Sequence, residues 1–169
     1  MLRAGVLTAS TEGARGRRAD QSGAIAQSLL EEMGHQVVWR ELVPDDQGTI
    51  EGMLRHAADE LGLDLVLTTG GTGLSPRDVT PEATLAVVER QVEGLAEAIR
   101  REGWRETERA ALSRAVAGVR GRTLIVNLAG SPAAVRSGLH AVGSLLEHAV
   151  AIIQDRPTDH SGREEPPRP

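Results

Sequence analysis

Cysteine is absent from the 169 residues, which removes disulfides, thiolate nucleophiles and zinc–thiolate sites and is compatible with a reducing compartment. Lysine is absent too, so all 19 cationic side chains are arginine. That excludes Schiff-base chemistry and a phosphate-loop lysine, and leaves arginine as the only permanent cation for a phosphate. Phenylalanine and tyrosine are missing, and Trp39 and Trp104 are the sole large aromatics. Nucleic-acid binding by base stacking therefore has little to build on, and a net charge of −5 argues the same way. No apolar run approaches the ~18 residues of a membrane span. The start, MLRAGVLTAS, turns polar too early for a signal peptide. The expectation is a cytoplasmic chain with neither nucleic-acid nor membrane partners. Its length fits one domain with an aliphatic core, burying roughly 70% of the unfolded surface.

What is present is an alternation of short apolar runs and helical patterns. Strands are expected over 2–8, 37–43, 63–69 and 123–128, and helices over 23–33, 47–61, 81–89, 92–101, 106–113 and 133–153. This order implies a three-layer α/β/α sandwich with a mainly parallel central sheet. From Gln154 onward proline and charge replace hydrophobicity, so 154–169 reads as a disordered polar tail behind a 1–153 domain. The loop over 9–20 is long for a strand-to-helix connection. Its Arg15, Arg17 and Arg18 either reach an anion or sit in a solvated charged loop.

Chemistry concentrates in 63–84, LDLVLTTGGTGLSPRDVTPEAT. The buried run ends in Thr68 and Thr69, and Gly70, Gly71, Thr72 and Gly73 follow. Three glycines in four residues permit positive φ and close approach of a ligand to bare main chain. Thr80 is the expected N-cap of the next helix, with Pro81 at its first position and Glu82 in its first turn. Such a loop gathers amides, and the hydroxyls of Thr68, Thr69 and Thr72, around a phosphate or carboxylate. It matches neither the dinucleotide nor the Walker glycine pattern. Asp78 and Asp45 are candidate acids in loops at the carboxyl ends of strands, where open α/β sheets bind ligands. Two carboxylates facing one phosphate need a hard cation between them, which implies Mg²⁺. For Asp45 the competing role is a helix N-cap, with Asp46 an equal contender; for Asp78 it is a turn acid. Asn127–Pro132 forms a second small-residue loop, in which Ser131 is also a helix-cap candidate. The five histidines (35, 56, 140, 148, 160) show no metal-ligand spacing, and no Ser-His-Asp order or nucleophile elbow occurs.

At TTGGTGLSPRDVTPEAT the chain closely resembles the MogA/MoaB family of molybdenum-cofactor biosynthesis, which includes the gephyrin G domain. The resemblance runs over roughly residues 1–153 and includes LVPDD at 42–46, ALSRAVAGVRGRTLIVNLAGSP at 111–132 and LLEHAV at 145–150. It implies an α/β/α homotrimer in which molybdopterin attacks the α-phosphate of Mg-ATP, giving adenylylated molybdopterin and pyrophosphate. It also implies hand-over to a molybdate-inserting protein. By position, Asp45 and Asp78 match the two acids such enzymes need. Gly70–Gly73, with Thr69 and Thr72, match the pterin- and phosphate-binding loop. Ser113 matches a site serine, and Gly130, Ser131 and Pro132 match a substrate-side loop.

Three positions depart from that pattern. Ala129 stands where the family usually has proline, Ala133 where it often has lysine, and Ser10-Thr11 where the first strand usually runs into Ser-Asp. Glu12 is the only nearby acid to replace the missing one. These departures keep two alternatives open. One is a MoaB-like protein that binds the pterin or a nucleotide without turnover; the other is a CinA-like nucleotide hydrolase.

Overall fold

The structure, a computed structural model, describes residues 1–158. β1 (Arg3–Ala9) leads through a single-turn helix, α1 (Thr11–Ala14), to α2 (Gln21–Glu32) and then β2 (Gln36–Val43). α3 (Gln47–Arg55) continues as a π-helical turn over His56–Glu60, closed by Leu61 N–H donating to the His56 carbonyl at 3.0 Å. β3 (Leu65–Thr69), α4 (Thr80–Val87), the two-residue β4 (Arg90–Gln91) and α5 (Glu93–Trp104) follow. A 3₁₀ turn over Glu108–Leu112, β5 (Ala117–Arg120), β6 (Thr123–Leu128) and the long α6 (Pro132–Ile153) complete the chain.

The six strands lie in the order β2-β1-β3-β6-β5-β4. The first four are mutually parallel, while β5 runs antiparallel to both β6 and β4. This is the expected α/β/α architecture, and both faces of the sheet are buried. Side chains alternate across it: Leu65, Leu67, Leu124 and Val126 pack under α2, α5 and α6, whereas Val66 and Ile125 pack under α3 and α4. Among the described residues no helix is long and apolar enough to cross a membrane.

Several expectations shift. β4 and β5 fall in stretches, 90–91 and 117–120, that lie between the expected elements. α2 starts at Gln21, ahead of the expected 23, and Asp20 caps it through Gly23 N–H at 2.8 Å. Thr80 is not a cap: its N–H donates instead to the Gly71 carbonyl at 3.1 Å, and Val79 stands at the N-cap without a side-chain bond. Gln154, the first residue of the expected tail, caps α6 and donates to Asp64 Oδ1 at 2.7 Å and to the Arg122 carbonyl at 3.1 Å. Residues 159–169 of that tail lie outside the described residues.

Asn127 belongs to the sheet rather than to the second loop. It is fully buried, and Nδ2 donates to Thr68 Oγ1 and Thr84 Oγ1, each at 2.9 Å, while Oδ1 accepts Val116 N–H at 3.2 Å. Asn127→Leu keeps the volume but strands these partners in an apolar interior. It is expected to cost about 3 kcal/mol, a fall in Tm of about 10 °C for a chain this size. A thermal melt within 2 °C of the parent, a bound of roughly one weak contact, overturns that assignment.

Candidate functional site

The parallel strands β1, β3 and β6 end side by side, and the chain crosses from one side of β1 to the other between β2 and β3. The crevice outside such a crossover is where open α/β sheets bind ligands. Here it holds a cleft of about 780 Å³, a size that suits a small-molecule substrate.

The glycine loop lies across the cleft floor. Gly70 and Gly71 have φ of 87° and 64°, values that disfavour any side chain. A Cβ on Gly70 would stand 2.3 Å from the Ala9 carbonyl oxygen, and one on Gly71 2.3 Å from Thr80 Oγ1. The second loop closes on the first, since a Cβ on Gly130 would lie 3.0 Å from Gly70 Cα. Gly70, Gly71, Thr72, Gly73, Ser113, Gly130, Ser131 and Pro132 all line the cleft.

Asp45 and Asp78 line it as well. Asp46 takes the cap of α3, accepting Thr49 N–H at 2.8 Å, and so frees Asp45 from that role. Asp45 Oδ2 instead accepts the N–H and the hydroxyl of Thr11, both at 2.8 Å. Its Oδ1 lies 3.4 Å from the point where a Gly71 Cβ would be. Asp78 Oδ2 accepts Ser75 N–H at 3.0 Å and lies 2.8 Å from the corresponding point on Gly73. The two carboxylates thus flank the glycine loop, and each keeps an oxygen outside these bonds. Two hard oxygen donors, with the remaining positions open to water or phosphate, fit Mg²⁺. Among the described residues no group of three acids or histidines forms a closed metal cage.

Other expected residues fall elsewhere. Thr68 and Thr69 point to opposite faces of β3, as neighbours on a strand must. Thr68 is held by Asn127, and Thr69 Oγ1 is paired with Ser22 Oγ at 2.8 Å. Neither lines the cleft, so only Thr72 of the three hydroxyls does. Glu12 does not replace the missing acid. It faces Arg15 and Arg17 at 3.9 and 3.7 Å, on the exposed side of the loop. Thr11 stands in that place and braces Asp45. Arg18 lines the cleft; Arg15 and Arg17 do not. Ser131 is at once cleft wall and cap of α6, accepting Ala134 N–H at 3.2 Å.

Residues that no local motif announces are Thr8, Asp20 and Ser22 on one wall and Thr107 and Arg109 on the other. Thr8 Oγ1 donates to Asp20 Oδ2 at 3.1 Å, and Arg40 pairs with that carboxylate at 2.9 Å. Arg114 reaches the loop from β5's side, and its hydrogen bond holds the Glu82 carboxyl below the usual range against the opposing pull of burial.

The chain resembles known proteins over most of its length. The family description "Probable molybdopterin binding domain" matches residues 5–148. The molybdopterin adenylyltransferase of Helicobacter pylori (strain ATCC 700392 / 26695) is 39% identical over 151 residues, covering 88% of this chain and 86% of that protein. The molybdenum cofactor synthesis protein cinnamon of Drosophila melanogaster is 42% identical over 152 residues; the match covers 89% of this chain but only 25% of that longer protein. The crystal structure of the molybdopterin biosynthesis enzyme MoaB from Thermus thermophilus superposes with a TM-score of 0.88 at 51% identity, covering 93% of this chain and 99% of that one. The chain belongs to the molybdopterin-binding family of molybdenum-cofactor biosynthesis, the MogA/MoaB group.

Proposed function

We propose that this chain is a molybdopterin adenylyltransferase, transferring the adenylyl group of ATP to the pterin phosphate and releasing pyrophosphate. One observation carries the reading: Asp45 and Asp78 flank a bare glycine loop in one cleft, each with an oxygen uncommitted. Relatives of comparable length carry that name.

In the reaction, an oxygen of the pterin phosphate bonds to the α-phosphorus of ATP as the bond to the β-phosphate oxygen breaks. Such transfers depend on positioning and charge neutralisation rather than on a covalent enzyme intermediate. Main-chain amides of 71–73 orient the pterin phosphate, and Arg18 offsets charge on the departing pyrophosphate. Asp45 and Asp78 would hold Mg²⁺, which supplies neutralisation of the nucleotide phosphates. The reading extends to a cytoplasmic homotrimer that hands its product to a molybdate-inserting protein; the family resemblance supports those features.

A second reading, binding without turnover, has its own observation. Ala129 and Ala133 both line the cleft where the family usually carries proline and often lysine. Incubating the purified chain with molybdopterin and Mg-ATP separates the readings. Adenylylated pterin is the expected product. Binding without it establishes the second reading, and nucleotide breakdown without pterin establishes the CinA-like hydrolase.

A further inference from the structure

The loop that carries Asp78, residues 73–78, has no regular structure of its own. Its second half is closed as a turn by Asp78 N–H donating to the Ser75 carbonyl at 2.9 Å and Ser75 N–H donating to Asp78 Oδ2 at 3.0 Å. Among the described residues, the side-chain ties that fasten its ends, Gly73 and Asp78, to the rest of the fold come from one residue. Arg114 donates from Nε to the Gly73 carbonyl at 2.8 Å and from Nη2 to the Asp78 carbonyl at 2.7 Å. Nη1 pairs with the Glu82 carboxylate on the first turn of α4. The Arg114 main-chain N–H donates to the Thr72 carbonyl at 2.9 Å. One guanidinium thus spans both ends of the loop and anchors it to α4, while the adjacent Ser113 lines the cleft.

We propose that Arg114 is a positioning residue: its guanidinium clasps loop 73–78 so that the Asp78 carboxylate is held at the phosphate site before ligands arrive. The proposal rests on the function proposed above for what the site binds. The planar fork matters, because three donors must reach two carbonyls and a carboxylate in divergent directions. Lysine is a point charge on a flexible stem and cannot make all three contacts at once. A loop released at both ends has to be reordered whenever the nucleotide binds. The cost then falls on the metal requirement and on turnover rather than on the pterin, because the Arg114 main-chain N–H keeps Thr72 in place whatever side chain stands at 114.

The test is Arg114→Lys, read by amide hydrogen exchange across 74–78, by Mg²⁺ dependence of ATP binding, and by kinetics. Losing charge-assisted bonds predicts exchange faster by about tenfold and half-saturating Mg²⁺ raised by about tenfold. The turnover number falls in parallel while KM for the pterin stays unchanged. Arg120→Lys is the structural control: Arg120 makes a similar fork to Asp59, with Nη1 on the Val87 carbonyl at 3.0 Å, away from the cleft. It lowers Tm and leaves loop exchange and Mg²⁺ dependence as in the parent. Glu82→Ala removes only the Nη1 anchor and shifts both loop readings the same way, by about threefold; it decides the matter if Arg114→Lys does not fold. Unchanged exchange across 74–78, or faster exchange with an unchanged Mg²⁺ requirement, overturns the clasp. If the parent chain forms no adenylylated pterin, the proposed function falls, and the exchange and Mg-ATP-binding arms still decide Arg114.

Discussion

Asp78→Asn lowers adenylylation by about 10²–10³-fold and leaves pterin binding and Tm close to those of the parent. The asparagine side chain is nearly isosteric, and its amide oxygen still accepts Ser75 N–H, so the turn at 75–78 survives. What disappears is the negative charge beside Gly73, which on the proposed function is half of the donor set for the cation at that end of the loop. Asp45→Asn acts alike for the other half. Its amide oxygen keeps the Thr11 N–H and hydroxyl bonds, so the fold of the first loop does not depend on the charge. On the proposed function the two acids serve one role on opposite sides of the glycine loop, so the double variant is no worse than about tenfold below the poorer single one. Single-turnover formation of adenylylated pterin, with pterin binding measured separately, checks this. An Asp78→Asn protein that turns over at the parent rate removes Asp78 from the chemistry and the cation reading with it.

The site was legible where local signals were strong and the partners near in sequence. An apolar run ending in three glycines placed the cradle, and Gly70 and Gly71 sit at positive φ as the spacing required. Asp45 and Asp46 are chemically equivalent on paper, since either can cap α3. The choice is settled by Thr11, a partner 34 positions away, which no window along the chain contains. Thr80 does not cap α4 because the helix starts at Thr80 itself, which the contact of its N–H with the Gly71 carbonyl holds against the loop while its hydroxyl stays unpaired among the described residues. β4 and β5 are too short, at two and four residues, to show a period of two. They are held by neighbours instead: a Cβ on Gly118 would stand 2.7 Å from the Arg90 carbonyl, so the close pairing of these strands depends on a glycine that reads like a turn residue. The clasp of Arg114 was hidden altogether, because two of its three acceptors are main-chain carbonyls and carry no side-chain signature.

Gly70→Ala is expected to destabilise the protein by more than about 3 kcal/mol and abolish product formation, and no second side-chain substitution restores it. Two costs combine. Alanine at φ 87° loses about 1–2 kcal/mol relative to glycine. Its Cβ would also stand 2.3 Å from the Ala9 carbonyl oxygen, a main-chain atom fixed where β1 pairs with β2 and β3. Either the sheet opens at its carboxyl edge or the loop lifts off it. Lifting breaks the Gly70 N–H bond to the Leu128 carbonyl at 3.1 Å and the close seating of Gly130. Gly71→Ala offers the contrast, because its obstacle is a side chain. That Cβ would meet Thr80 Oγ1, a buried hydroxyl with no hydrogen-bond partner among the described residues. Removing it costs little, so Thr80→Ala added to Gly71→Ala recovers at least about 1 kcal/mol, with coupling of a size usual for residues in contact. The same Thr80→Ala added to Gly70→Ala recovers nothing. Urea or thermal unfolding of the four variants decides it: equal rescue at both glycines, or Gly70→Ala melting with the parent, shows that the loop bends at Gly70 and that its main chain is not pinned there.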